Sequence, residues 1–474
     1  MNASIRRTAV VASILFLALL VNVSVVQLWR QSSLSADDRN RRVLDAEFAQ
    51  NRGAILAGDT QIATTSPVKD RFAYQRSYPQ GSLYATVTGW YAYDFGRSGL
   101  EAKYSTELAG TASSQTIDRL VDLFTGATPV GATIQTTINP KLQQVAAQQL
   151  SGKKGAVVAL DPTTGAILAM VSTPTYDPNT LATHDLAAAR AAWTTLNADP
   201  ARPLSDRGTR EIYPPGSTFK LVTAAAALEN GMTPDTLVDT PSQLTLPNSS
   251  SVLGNESNCG NTQQTLDRAL QLSCNTAFAN VGATLGADKI RAQAEKFGFD
   301  STPMTDVNAA KSQFPAKPDA AQTMLSAIGQ YDVAASPLQM AMVAAAICDD
   351  GVLKTPYLVS EVRGADLRVL YRHGTDDKRT MSAASAQALQ QMMVNVVQKG
   401  TGTKAQVPNV VVGGKTGTAQ TDPTKNPYAW FVSFAKNPDI AIAVFIEDAN
   451  VERNEIAGGA LAGPIAKAII QASR

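Results

Sequence analysis

Tyr213-Pro214-Pro215-Gly216-Ser217-Thr218-Phe219-Lys220, running into LVTAAAALENG, decides how the rest of this chain is read. Two prolines and a glycine mark a turn. The run from Thr218 to Glu229 consists of good helix formers and is closed by Asn230-Gly231, so it predicts a helix. Ser217 then stands at or just before the first helical turn, and Lys220 lies one turn further along the same face. A hydroxyl at a helix N-terminus with an amine beside it is a workable nucleophile and base. A neutral lysine can take the serine proton, and the exposed N–H groups favour the negative charge that develops. The S-x-x-K pattern recurs at Ser66/Lys69, Ser151/Lys154 and Ser433/Lys436. Pro67 follows the first, the second is a polar turn, and the third lies in a strand-like run where i and i+3 face opposite ways. Only the copy at Ser217 opens a helix.

Composition bounds the chemistry around this stretch. The chain has 474 residues, 44% hydrophobic and 17% charged, with a formal net charge of +1. That is enough for two or three packed domains. No dense Lys/Arg block is present, which speaks against nucleic acid as a partner. The two histidines, His184 and His373, fall in polar stretches read as surface loops, so a serine nucleophile would pair with lysine rather than histidine. Three cysteines without a Cys/His spacing pattern give no metal site.

Arg6-Arg7 precede an uncharged run from Thr8 to Trp29. About 22 residues at 1.5 Å each span roughly 33 Å, enough for a hydrocarbon core. The two arginines favour a cytoplasmic N-terminus, which would put the bulk of the chain outside the membrane. A cleaved signal peptide is the rival reading, though no A-x-A site follows the run. The expected layout is a tip and anchor over 1–30, a non-catalytic pedestal or interaction domain over 31–152, and a catalytic domain over 153–474. In the pedestal, Ser32–Asp45 reads as a juxtamembrane helix or linker, and KYSTELAG and IDRLVDLFTG read as short helices. TIQTTINPKLQQVAAQQL reads as a strand followed by a helix starting near Pro140.

From Gly155 the texture changes. GAVVALDPTTGAILAMVS is a hairpin of two apolar strands, each buried on both faces. Further on, two helical pieces meet at Ser273-Cys274-Asn275. That site is either a helix cap or a hydroxyl and an amide presented to a cleft. Cys259 and Cys274 could pair if this part is exported, while Cys348 reads as a buried helix residue. VVVGGKTGTA (410–419) is not a phosphate loop, because Asn409 stands where a glycine is needed and no helix follows. It reads instead as a strand exposing Lys415-Thr416-Gly417-Thr418. Strands at 429–435 and 440–448 would extend it into an antiparallel meander, and LAGPIAKAIIQAS would close the chain as an amphipathic helix on the sheet.

Ser217-x-x-Lys220, Ser273-x-Asn275 and Lys415-Thr416-Gly417, in that order, are the three-part signature of penicillin-binding proteins and class A β-lactamases. The chain resembles class B penicillin-binding proteins along nearly its whole length, through YPPGSTFK, LSCNTAFA, AIGQYDVAASPLQMA and GGKTGTAQ. Its opening MNASIRR and layout are similar to those of mycobacterial and related actinobacterial members. The resemblance implies an α+β transpeptidase fold, an antiparallel sheet flanked by helices, with a smaller N-terminal pedestal and one transmembrane helix. It implies a D,D-transpeptidase, needing no cofactor, that crosslinks peptidoglycan stem peptides and is acylated by β-lactams. Division or wall growth, with a membrane glycosyltransferase or divisome partner, would be its setting. In that pattern Ser217, Lys220 and Ser273 are catalytic, and Asn275, Lys415, Thr416, Gly417 and Thr418 bind substrate. The backbone N–H groups of Ser217 and Thr418 would hold the oxyanion. The only glutamate between Asn275 and residue 330 is Glu295, with Phe299 rather than Asn four residues on, so the β-lactamase deacylation glutamate has no evident counterpart. A carboxypeptidase or β-lactamase-like hydrolase, and a non-catalytic β-lactam sensor or scaffold, are the alternatives.

Overall fold

The computed structural model describes residues 3–30, 41–116, 124–126, 129–304, 306–419 and 426–474. Most of the run IDRLVDLFTG, and residues 31–40 of the segment read as a juxtamembrane helix or linker, lie outside the described residues. Arg41–Phe48, which follows, is helical.

A five-stranded antiparallel sheet carries the C-terminal part. Its order is Val411–Ala419, Tyr428–Lys436, Ile440–Asp448, Lys154–Leu160 and Ile167–Thr173. The 154–173 hairpin and the C-terminal meander are those read from the sequence. The meander is joined edge to edge to the hairpin by the pairing of Val444 with Val157. The strands are apolar throughout because both faces are covered. Val157, Ala159, Phe431, Ile442 and Val444 pack with the helices Pro140–Leu150 and Gly463–Ala472. Val158, Leu160, Trp430, Val432 and Phe445 belong to the opposite core, with the wholly buried helix Pro337–Cys348. Truncating one of these buried aromatics to alanine would cost about 3–5 kcal/mol. The helix beginning at Pro140 is capped by Asn139, whose side chain accepts from the N–H groups of Lys141 and Leu142.

The N-terminal part is built on a six-stranded mixed sheet. Its strands Ile55–Ala57, Thr60–Pro67, Tyr74–Ser77 and Thr133–Thr136 are extended by Val359–Arg363 and Val369–Arg372, which come from far along the chain. Asp306 accepts hydrogen bonds from the N–H groups of Leu358 (2.7 Å) and Val359 (3.2 Å) and from the Tyr104 hydroxyl (2.8 Å). That carboxylate ties the late strand to the early helices. At the centre of this part, Glu101 is fully buried between Arg52 (2.7 Å) and Arg76 (2.6 Å).

Ahead of both parts, Ala3–Leu28 is one continuous helix with no buried residue, long and apolar enough to cross a membrane. His184 and His373 do lie in loops, but both rings are half-buried: His184 is against Phe72 and His373 is stacked on Tyr357 at 3.6 Å.

Candidate active site

The Pro-Pro-Gly turn does what its residues require. Gly216 has φ +52°, a left-handed backbone that favours glycine, and its N–H donates to the carbonyl of Gly329 (3.0 Å). Residues Gly216–Phe219 form a 3-10 turn that passes directly into the helix Lys220–Glu229. Ser217 thus sits in the first turn, half-buried, and Lys220 one turn on is fully buried. The turn is braced from beneath by Trp430, whose Nε1 donates to the Pro214 carbonyl (3.1 Å), and by Thr218, whose hydroxyl donates to Pro215 (2.7 Å).

The edge strand of the sheet comes against this turn, and Lys415, Thr416 and Gly417 are buried there rather than exposed as the sequence reading expected. A Cβ added to Gly216 would stand 3.0 Å from the Thr418 carbonyl, and one added to Gly417 would stand 2.9 Å from Thr218 Cγ2. Only backbone without side chains allows so close an approach. The strand Val411–Ala419 therefore lays Lys415-Thr416-Gly417-Thr418 alongside Ser217. The Thr416 hydroxyl is held by that of Thr401 at 2.7 Å.

The third element is the break between the helices Leu266–Leu272 and Asn275–Leu285. Ser273 occupies that break with φ +60°. A non-glycine residue there costs on the order of 1 kcal/mol or more, a cost met where a site holds the side chain in place. Cys274 is disulfide-bonded to Cys259, and Cys348 is a buried free thiol in its helix.

All three motifs converge on two buried amines. Lys220 Nζ donates to the Ser273 carbonyl (2.8 Å) and to Asn275 Oδ1 (2.7 Å), and lies 3.4 Å from Ser273 Oγ. Lys415 Nζ donates to the same Ser273 Oγ (2.8 Å) and to the Thr416 carbonyl (2.9 Å). Both amines thus meet at the one Ser273 hydroxyl. Burial lowers the Lys220 amine well below the ordinary lysine range, and the neighbouring charge of Lys415 lowers it further; the charge of Glu256 opposes both. Burial brings Lys415 down to about 7, again against Glu256. Both shifts favour the neutral amine, and at Lys220 the charge of Lys415 adds to the push. Asn275 Nδ2 donates to the Gly254 carbonyl (3.1 Å), so one amide proton and one carbonyl lone pair remain for a ligand.

Chemically, the cluster can deprotonate a hydroxyl, pass a proton through Ser273, and hold an anion at Lys415. Of the residues singled out from the sequence, Lys220, Ser273, Asn275, Lys415 and Thr416 are joined by these bonds, while Ser217 stands one turn before Lys220 and Gly417 packs against Thr218 beside it. The sequence reading missed Thr401, Gly329 and Glu256. Of these, only Gly329 left a signal, as the glycine within AIGQ. Neither histidine joins the cluster.

Comparison with known proteins gives the same picture. The penicillin binding protein transpeptidase domain matches residues 155–471, and the penicillin binding protein A dimerisation domain matches residues 52–134. The peptidoglycan D,D-transpeptidase PbpA of Mycolicibacterium smegmatis is 42% identical, covering 100% of this chain and 99% of its own. The protein of the same name from Mycobacterium tuberculosis is 41% identical over the same extent. The solved structure of penicillin-binding protein A from M. tuberculosis as a ceftriaxone acyl-enzyme superposes with a TM-score of 0.86 at 39% identity. The match covers 90% of this chain and 99% of that one.

Proposed function

The chain belongs to the penicillin-binding protein transpeptidases, and on that premise we propose that Ser217 is the residue acylated when it works on a D-Ala-D-Ala stem peptide. It is a serine-type peptidoglycan D,D-transpeptidase of class B, open to acylation by β-lactams. The observation that carries the site assignment is the convergence of Lys220, one turn on from Ser217 in the chain, and Lys415 on Ser273 Oγ.

Neutral Lys220 takes the Ser217 proton as Oγ attacks the penultimate carbonyl. The N–H groups of Ser217 and Thr418, brought together by the glycine contacts above, face the oxyanion. Ser273, polarised by Lys415, passes a proton to the departing D-Ala nitrogen, and the C–N bond breaks. Lys415, Thr416 and Thr418 hold the substrate carboxylate, Gly417 keeps the strand close, and Asn275 uses its free amide atoms on the peptide. An amine from a second stem peptide then attacks the ester, and its proton returns by Lys220 to Ser217 Oγ.

The length and apolarity of the Ala3–Leu28 helix support a membrane anchor, and the Cys259–Cys274 disulfide supports a position outside the cytoplasm for the part that carries it. Crosslinking acts on polymerised glycan, so a membrane glycosyltransferase of the division machinery is the expected partner. Intact mass after benzylpenicillin tests the core of this reading. One stable adduct is expected on the wild type and none on Ser217→Ala. An adduct that survives the substitution would refute it.

A further inference from the structure

Glu256 is an exposed carboxylate in the polar stretch between the nucleophile helix and the Ser273 break. Its backbone is pinned on both sides to the motif that shapes the cleft. On the N-terminal side, the Gly254 carbonyl accepts from Asn275 Nδ2 (3.1 Å). Asn255 Oδ1 accepts from the Thr276 N–H (3.0 Å), and Asn255 Nδ2 donates to Thr276 Oγ1 (2.9 Å) and to the Pro241 carbonyl (3.2 Å). On the C-terminal side, Cys259 is covalently joined to Cys274, the residue between Ser273 and Asn275. Glu256 has no hydrogen bond or ion pair with any described residue. The bonds of its neighbours to Asn275, Thr276 and Cys274 hold it beside the Ser273 break, and its charge bears on both Lys220 and Lys415.

A carboxylate held by three neighbouring anchors, yet itself unbonded, is positioned for something outside the chain. The two lysines account for the anionic end of the donor and for the proton of Ser217. What they leave unserved is the second substrate, an amine that arrives as an ammonium ion. Lysines repel such a cation, and Glu256 is the opposite charge within reach. We propose that Glu256 is the acceptor-specificity residue, drawing the cationic amine of the second stem peptide to the acyl-enzyme. The inference rests on the transpeptidase reading above. In the step it serves, the ammonium loses one proton to solvent at this exposed rim. The neutral amine forms the new C–N bond, the C–Oγ bond to Ser217 breaks, and the second amine proton ends on Oγ.

The test is the partition of one acyl-enzyme between amine and water. Anchored full-length protein is acylated by an uncharged acyl-D-Ala thioester, then offered Nα-acetyl-lysine amide, whose side chain ends in an ammonium. Hydroxylamine, uncharged at neutral pH, is the control acceptor. The ratio is read on molecules already acylated, so any effect of the substitution on acylation drops out. An exposed charge pair is worth up to about 1 kcal/mol, roughly fivefold. Glu256→Gln should lower the amine-to-water ratio about two- to fivefold for the lysine derivative only, and Glu256→Lys should lower it further. High salt should shrink the difference. Equal ratios in all three proteins, or the same fall with hydroxylamine, would overturn the proposal. Failure of the wild type to form any acyl-enzyme would instead refute the transpeptidase reading itself.

Discussion

Two charge clusters lie fully buried in this protein, and they are built on opposite rules. In the N-terminal part, Glu101 sits between Arg52 and Arg76, with the Tyr78 hydroxyl donating to it at 3.2 Å. Burial alone would raise the Glu101 carboxyl, but Arg76 and Arg52 outweigh it and hold the group below its usual range. In the C-terminal part, Lys220 and Lys415 share a pocket without a buried carboxylate among the described residues, and both are pushed down. The first cluster offsets its desolvation with opposite charge and keeps its ions. The second has only the exposed Glu256 set against desolvation, too little to offset it, so the lysines are driven toward the neutral form. Compensation makes a scaffold, and its absence makes a base.

The comparison can be broken at either end. Glu101→Ala would strand two buried guanidinium groups and should destabilise the protein by about 3–5 kcal/mol in a denaturant titration. A loss under about 1 kcal/mol would mean the arginines reach water and the cluster is not the compensated one described.

Changing pH separates the clusters. Between about 7, where buried Lys415 titrates, and the ordinary lysine range near 10.4, the unfolded chain binds more protons than the folded one. Stability of the C-terminal part should therefore rise with pH across that window, by up to about 1.4 kcal/mol per unit for each such lysine. The Glu101 contribution has the same sign but lies in a separate, acidic window. It is complete above the unfolded carboxylate value of about 4.3 and is lost as pH falls through its lowered folded value. Denaturation midpoints from about pH 2 to pH 10 would show two separate rises, one in each window, or erase the contrast.

The smallest effect on stability is expected at Lys415. Lys415→Met removes an uncompensated buried amine and leaves only Ser273 Oγ and the Thr416 carbonyl short of a donor. The change should stay within about 1 kcal/mol, while binding of a substrate carboxylate falls sharply. A loss as large as that of Glu101→Ala would show that the two clusters are alike after all.

The candidate site was legible because each motif sits where the backbone itself is marked. Pro-Pro-Gly stops a turn before Ser217, a helix break exposes Ser273, and Gly417 lets an edge strand come close. The central sheet was legible from apolar runs that only a strand covered on both faces would carry. The rest depends on closure in three dimensions. Nothing near Val359–Arg372 says that it completes the N-terminal sheet, since its partner Thr133–Thr136 is over two hundred residues away. Thr401 reaches Thr416 only because a helix returns to the sheet edge, and Glu256 reaches the lysines only because Cys259 is tied to Cys274. Charge effects of this kind leave no spacing to read.

The central claim is that Lys220 is neutral when Ser217 attacks. The second-order rate of acylation by benzylpenicillin, measured against pH, reports the groups of the free enzyme directly. The account predicts a rate that rises with pH far below the ordinary lysine range as the coupled pair loses its first proton. The rate should then decline beyond about 7 as Lys415 loses the charge that holds the carboxylate. A rate still climbing through pH 9 to 10 would mean that Lys220 keeps its proton in the folded protein, and would contradict the account.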